Sequence, residues 1–215
     1  MRKNSRGLKP QFDGCEDRTL CTLVFVLNGA SFAATGPNRL TANASAVLQQ
    51  SGNRVVQLSN GNINSASAYN TLVRSIVRRA HGQAIGLVGF SAGGALALHI
   101  AATPGLKVNA VLDYYGVPDV RLYLQRHSSD HNYRPISGLA PFRESAISLL
   151  SGSIATSARV VAAFGQFDPN VRADDSSADL LQDNAESHVY VYPGAHGVSI
   201  TASRAALDDF LSHLA

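Results

Sequence analysis

Six short β-rich runs lie along the chain, most of them apolar almost without interruption: Thr22–Leu27, Arg54–Leu58, Ile85–Phe90, Ala110–Tyr114, Val160–Phe164 and Val189–Tyr192. A half-solvated strand alternates polar and apolar positions, whereas a strand covered on both faces reads as a continuous apolar run. Between these runs lie stretches with helical spacing: Ala42–Gln50, Ala66–Ala80, Ala92–Ala102, Asp174–Asn184 and Arg204–Leu214, with a further helical stretch near Phe142–Leu150. Strand followed by helix, repeated, predicts an α/β fold: a doubly wound, mostly parallel sheet of about six strands with helices on both faces. Ligands of such sheets bind at the carboxyl ends of the strands.

The ends of the chain and one long connection depart from this rhythm. Residues 1–18 lack periodicity and are expected to form a flexible arm, leaving 19–215 as a single domain. About 40 residues separate the fourth and fifth strands, more than a plain connection needs. The 116–159 segment is expected to be either a cap over the site or a surface crossover with a helix. The N-terminus also carries a competing pattern. Arg2, Lys3 and Lys9 precede Leu20–Leu27, with Ser31-Phe32-Ala33-Ala34 beyond, in the manner of a secretory leader. Asp13, Glu16 and Asp17 interrupt the approach, and Asn28-Gly29 ends the apolar run early. The same residues therefore read as a strand and its turn, with a cytoplasmic protein expected and secretion as the alternative.

Composition narrows the partners. The 215 residues are 45% apolar and 15% charged, with a net charge of +3. Four basic residues fall in the first nine positions, so the remainder is nearly neutral. No basic stripe interleaved with aromatics points to nucleic acid, and no run of 18 apolar residues is long enough to cross a membrane. Cys15 and Cys21 could pair or stay free. His127 and His131, with Asp130 between them, have metal-like spacing but no further ligand in view. No phosphate-binding glycine loop and no acidic cluster for a divalent metal is present, so no cofactor is expected. A small-molecule substrate is the expected partner, and oligomeric state is left open.

The chemistry is carried by three loops. Gly89-Phe90-Ser91-Ala92-Gly93 lies between an apolar strand and a small-residue helix, the setting in which G-x-S-x-G forms a nucleophile elbow. A serine hydroxyl needs a base, usually histidine oriented by a carboxylate. In this fold the chain order is serine, acid, histidine. Asp168 follows the fifth strand in Gly165-Gln166-Phe167-Asp168-Pro169, and His196 follows the sixth in Pro193-Gly194-Ala195-His196-Gly197. Asp113, at the end of the fourth strand, is the rival acid, and an Asx turn is the plainer role for Asp168. Asp174 and Asp175 read as helix caps. The oxyanion hole is expected from the amides of Ala92 and Ala30, with Gly29 as the neighbouring choice and Asn28 or Ser31 assisting through the side chain. Phe90, Tyr114 and Tyr115 are expected to line the substrate pocket. His99 is expected to be packed or capped.

These segments resemble the α/β-hydrolase superfamily, over roughly residues 22–215. Tyr114-Tyr115-Gly116 after the fourth strand and Tyr192-Pro193-Gly194-Ala195 before the histidine resemble its dienelactone-hydrolase-like and small serine esterase branch. The resemblance implies a serine hydrolase that cleaves a carboxylic ester of a small or medium-sized substrate through an acyl-enzyme. Two departures qualify it. Dienelactone hydrolases proper use cysteine where this chain has Ser91, which favours an ester or thioester over a lactone. Many esterases carry His-Gly-Gly at the oxyanion turn, where this chain has Asn28-Gly29-Ala30. A thioesterase, acyltransferase or peptidase would use the same triad. A non-catalytic binding protein on this fold is the remaining alternative, against which the intact Ser-Asp-His order argues.

Overall fold

The computed structural model describes residues 21–28, 38–58, 66–127, 150, 152, 154–171, 175, 186–197 and 199–214. The described elements are β1 (Leu23–Leu27), α1 (Arg39–Gln50), β2 (Arg54–Leu58), α2 (Ala66–Ala80), β3 (Ile85–Phe90), α3 (Ala92–Ala101), β4 (Val108–Tyr114), α4 (Val120–His127), β5 (Arg159–Gly165), β6 (His188–Tyr192) and α5 (Arg204–Ser212). The strands form one six-stranded sheet in the order β2-β1-β3-β4-β5-β6. Every pairing is parallel, and helices cover both faces. The expected doubly wound α/β architecture is therefore the observed one.

Sequence and position in the sheet agree strand by strand. β1 (LVFVL) and β3 (IGLVGF) are buried throughout, as interior strands must be. β2 and β6 are the edges, and their polar residues Arg54, Gln57, His188 and Tyr190 sit where solvent reaches one side. At the base of β5, the Arg159 guanidinium holds Asp209 of α5 with two bonds, Nε to Oδ1 at 3.1 Å and Nη2 to Oδ2 at 3.0 Å. That fork fixes the last helix across the sheet.

Two elements differ from expectation. α1 starts at Arg39 rather than Ala42 because Asn38 caps it: its side chain accepts the Thr41 N–H, and the Thr41 hydroxyl accepts the Asn38 N–H. Threonine here takes the part that glutamate or glutamine plays in the usual capping box. α4 was not foreseen. Asp119 starts it by accepting the Leu122 N–H at 2.9 Å, while its second oxygen accepts the Gly152 N–H at 2.9 Å. Val120 and Tyr123, one turn apart, form the buried face. The 1–18 arm, Cys15, His131, the stretch near Phe142–Leu150 except Leu150 itself, and all of Asp174–Asn184 except Asp175 lie outside the described residues.

The chain leaves β1 toward one edge and leaves β3 toward the other, so the strand order reverses between these neighbours. That reversal opens a crevice at the carboxyl ends of the strands. The elbow lies at this point, since Leu27 of β1 pairs with Gly89 of β3.

Candidate active site

Ser91 joins β3 to α3 with φ 52° and ψ −119°. A positive φ is uncommon for a residue with a Cβ and persists only where the surroundings over-determine it. Here the Ser91 N–H is held by the Tyr114 carbonyl at 2.8 Å, and the Ser91 carbonyl accepts the Gly94 N–H at 2.9 Å. A Cβ at Gly89 would collide with the backbone of Gly93 and Gly94, and one at Gly93 with the carbonyls of Leu27 and Asn28. The small residues of the motif thus allow the elbow to close and the end of β1, at Leu27 and Asn28, to rest on it. Ala92 occupies the first helical position, where an amide has no intrahelical acceptor and sits at the positive end of the helix.

Asp168 and His196 are brought together by an extension of the β5–β6 ladder. Past Gly165 and Tyr192 the pairing continues into the loops: Gln166 N–H to Tyr192 C=O at 2.6 Å and Phe167 N–H to Gly194 C=O at 2.8 Å. A Cβ at Gly165 would come within 2.6 Å of the Gly194 and Ala195 carbonyls, so only glycine lets the two loops approach. His196 Nδ1 then lies 2.8 Å from Asp168 Oδ2. The other oxygen, Oδ1, accepts the N–H groups of Asn170 at 2.8 Å and Val171 at 3.0 Å. The Asx-turn role and the pairing with histidine therefore coexist in one side chain, one oxygen each. A carboxylate only accepts, so Nδ1 carries the ring proton and Nε2 offers a lone pair.

Tyr115 links this pair to the elbow. Its ring packs on the His196 ring with centroids 4.4 Å apart. The preceding residue, Tyr114, holds the Ser91 N–H. Tyr115 has φ 46°, a second strained non-glycine residue beside the first. Its buried hydroxyl has no hydrogen-bond partner among the described residues. Burial, reinforced by Tyr114, Asp168 and Asp113 nearby, pushes that hydroxyl well above the ordinary tyrosine range.

Phe90 and Tyr114 were expected to line the pocket. Both are core side chains, stacked with centroids 4.8 Å apart and planes 6° apart. The Tyr114 hydroxyl is 2.6 Å from Ser203 Oγ. They support the elbow from beneath; such a pair contributes about 0.5–1.5 kcal/mol beyond its burial. Gly29, Ala30 and Ser31 lie outside the described residues. Asn28, at their start, is buried, and its Oδ1 accepts from Asn38 Nδ2 at 2.7 Å.

The rival acid has a different setting. Asp113 is fully buried, with Oδ1 on the Gly116 N–H at 2.8 Å and Oδ2 unpartnered among the described residues. Burial raises its carboxyl to about 7, opposed by the Gly116 N–H. His99 Nε2 meets the Pro118 carbonyl at 2.7 Å, and burial holds the ring below the ordinary histidine value. It is a packed residue, as expected. His127 is engaged with Asp175, Nε2 to Oδ1 at 2.6 Å. Among the described residues no group of three histidine, cysteine or acidic side chains is placed to hold a metal, and no helix is long and apolar enough to cross a membrane.

The model of the dienelactone hydrolase family matches residues 41–206. The chain belongs to that family. It is accordingly a hydrolase of the α/β-hydrolase superfamily. Solved structures agree on the fold. Alpha/beta hydrolase domain-containing protein 10 from mouse is 18% identical with a TM-score of 0.65, covering 90% of each chain. Est1E from Butyrivibrio proteoclasticus is 13% identical with a TM-score of 0.64, over 90% of this chain and 87% of that one. A Pyrococcus furiosus esterase is 15% identical with a TM-score of 0.64, over 91% of this chain and 83% of that one. No curated protein sequence matches.

Proposed function

We propose that this family member is a serine hydrolase of carboxylic esters of small or medium-sized substrates, acting through Ser91, His196 and Asp168. The observation that carries the reading is the 2.8 Å pairing of His196 Nδ1 with Asp168 Oδ2, at the strand ends where Ser91 is held at positive φ. Ser91 Oγ attacks the ester carbonyl while His196 Nε2 takes its proton. The imidazolium, steadied by Asp168, returns that proton to the departing alcohol. Water, deprotonated by the same imidazole, attacks the acyl-enzyme and releases the acid and free Ser91. The Ala92 amide, with that of Ala30 or Gly29, binds the oxyanion of each tetrahedral intermediate; losing one such donor costs about 3 kcal/mol.

The test is labelling with a fluorophosphonate and mass mapping of the adduct. The reading expects a single adduct on Ser91, absent from Ser91→Ala, with short-chain p-nitrophenyl esters turned over by wild type only. Labelling that survives Ser91→Ala overturns it. A histidine base must be neutral to act, so activity rises with pH along an acid limb. A flat profile contradicts a histidine base.

A further inference from the structure

Helix α4 touches the chain on both sides of a short stretch that follows Asp168. The Tyr123 hydroxyl donates to the Asn170 carbonyl at 2.6 Å. The N–H of Asn170 in turn donates to Asp168 Oδ1 at 2.8 Å, and Oδ2 of the same carboxylate faces His196. One turn further along α4, His127 Nε2 meets Asp175 Oδ1 at 2.6 Å, with side-chain exposures of 11% and 2%. The Tyr123 and His127 rings pack together with centroids 5.1 Å apart. α4 therefore grips the backbone at Asn170 and the side chain at Asp175. Between these grips, Asn170 and Val171 supply the amides that orient the carboxylate.

We propose that Tyr123 is a positioning residue for Asp168, and that the His127–Asp175 pair fixes the helix from which it acts. The inference rests on the triad reading, because it gives Asp168 a catalytic orientation to be held. Without the Tyr123 hydroxyl, the Asn170–Val171 peptide loses the contact that fixes its carbonyl, and its N–H, that of Val171, is free to drift from Oδ1. The carboxylate can then rotate away from Nδ1, and the imidazolium formed in the reaction is less well steadied. Tyr123 touches neither substrate nor reacting atoms in this scheme. A buried tyrosine hydroxyl needs an acceptor in any fold, so the alternative is that Tyr123 only docks the helix.

The deciding experiment is a double-mutant cycle on p-nitrophenyl acetate with Tyr123→Phe, which deletes only the hydroxyl, in the wild-type and Asp168→Asn backgrounds. In wild type, kcat is expected to fall about 3- to 10-fold with KM nearly unchanged, the range one hydrogen bond covers. The acid limb of kcat/KM should move to lower pH as His196 loses support. In Asp168→Asn the same substitution should have almost no effect, since residues that act through one another are not additive. On the second grip, His127→Leu should reproduce the kcat loss, while His127→Gln, which keeps an N–H toward Asp175, should restore most of it. An equal loss in both backgrounds, or lowered thermal stability with kcat and the acid limb unmoved, overturns the inference. Should Asp168→Asn alone leave activity intact, the triad reading fails instead, and the two failures stay distinct.

Discussion

Two aspartates end adjacent strands of the sheet, Asp113 at the tip of β4 and Asp168 three residues past β5. Both are buried, at 1% and 5% exposure. Both use Oδ1 to accept backbone N–H groups of the following turn, that of Gly116 for Asp113 and those of Asn170 and Val171 for Asp168. They part at the second oxygen. Asp168 Oδ2 meets a histidine ring; Asp113 Oδ2 meets nothing described. Strand-end position, burial and turn geometry are thus shared by the two and do not single out a catalytic acid. The loop of the next strand decides. β6 delivers His196 beside the end of β5 through a ladder that continues past both strands, while Asp113 is enclosed beneath α3.

The comparison can be sharpened from the β6 side first. His196→Ala removes the proposed base and is expected to lower kcat on the order of 10⁴-fold or more, with the fold intact by circular dichroism. Next is Gly165→Val, which forces the acid and histidine loops apart; a displacement near 1 Å costs about 10²-fold in rate. An unchanged rate there would mean that the loops do not need their close approach.

Asp113 offers a smaller and opposite signature, in stability rather than rate. Its folded-state value of about 7 lies above the 3.8 of an ordinary aspartate. Between these values the folded protein holds a proton that the unfolded chain has released. Its contribution is therefore most favourable below pH 4, declines as pH rises toward 7, and levels off above. Asp113→Asn removes this titration. The melting temperature of the variant should rise relative to wild type by several degrees between pH 4 and 8, the scale of a few kcal/mol. A pH-independent difference would show that Asp113 stays ionised throughout.

Much of this was legible in the residue pattern because buried parallel strands leave no room for polar residues. All six strands followed from apolar runs and the elbow from Gly89 and Gly93, whereas the close approach at Gly165 came only with the structure. The elbow was readable because it is local: strand, tight turn and helix follow one another without a break from Ile85 to Ala101. α4 was less visible, since its signal is one Asp119 cap and the Val120–Tyr123 pair inside a long polar connection. The grip of Tyr123 on Asn170 spans 47 residues, and no local pattern records such a contact. The stacking of Phe90 on Tyr114 was hidden for a related reason: aromatic residues beside a strand end suit a pocket wall and a supporting layer equally in sequence.

The most direct measurement is kcat/KM on p-nitrophenyl acetate for Asp168→Asn and Asp113→Asn side by side at pH 8. The account predicts a loss on the order of 10³–10⁴-fold for Asp168→Asn and a change within about threefold for Asp113→Asn. The reverse ranking, or equal losses, would contradict it.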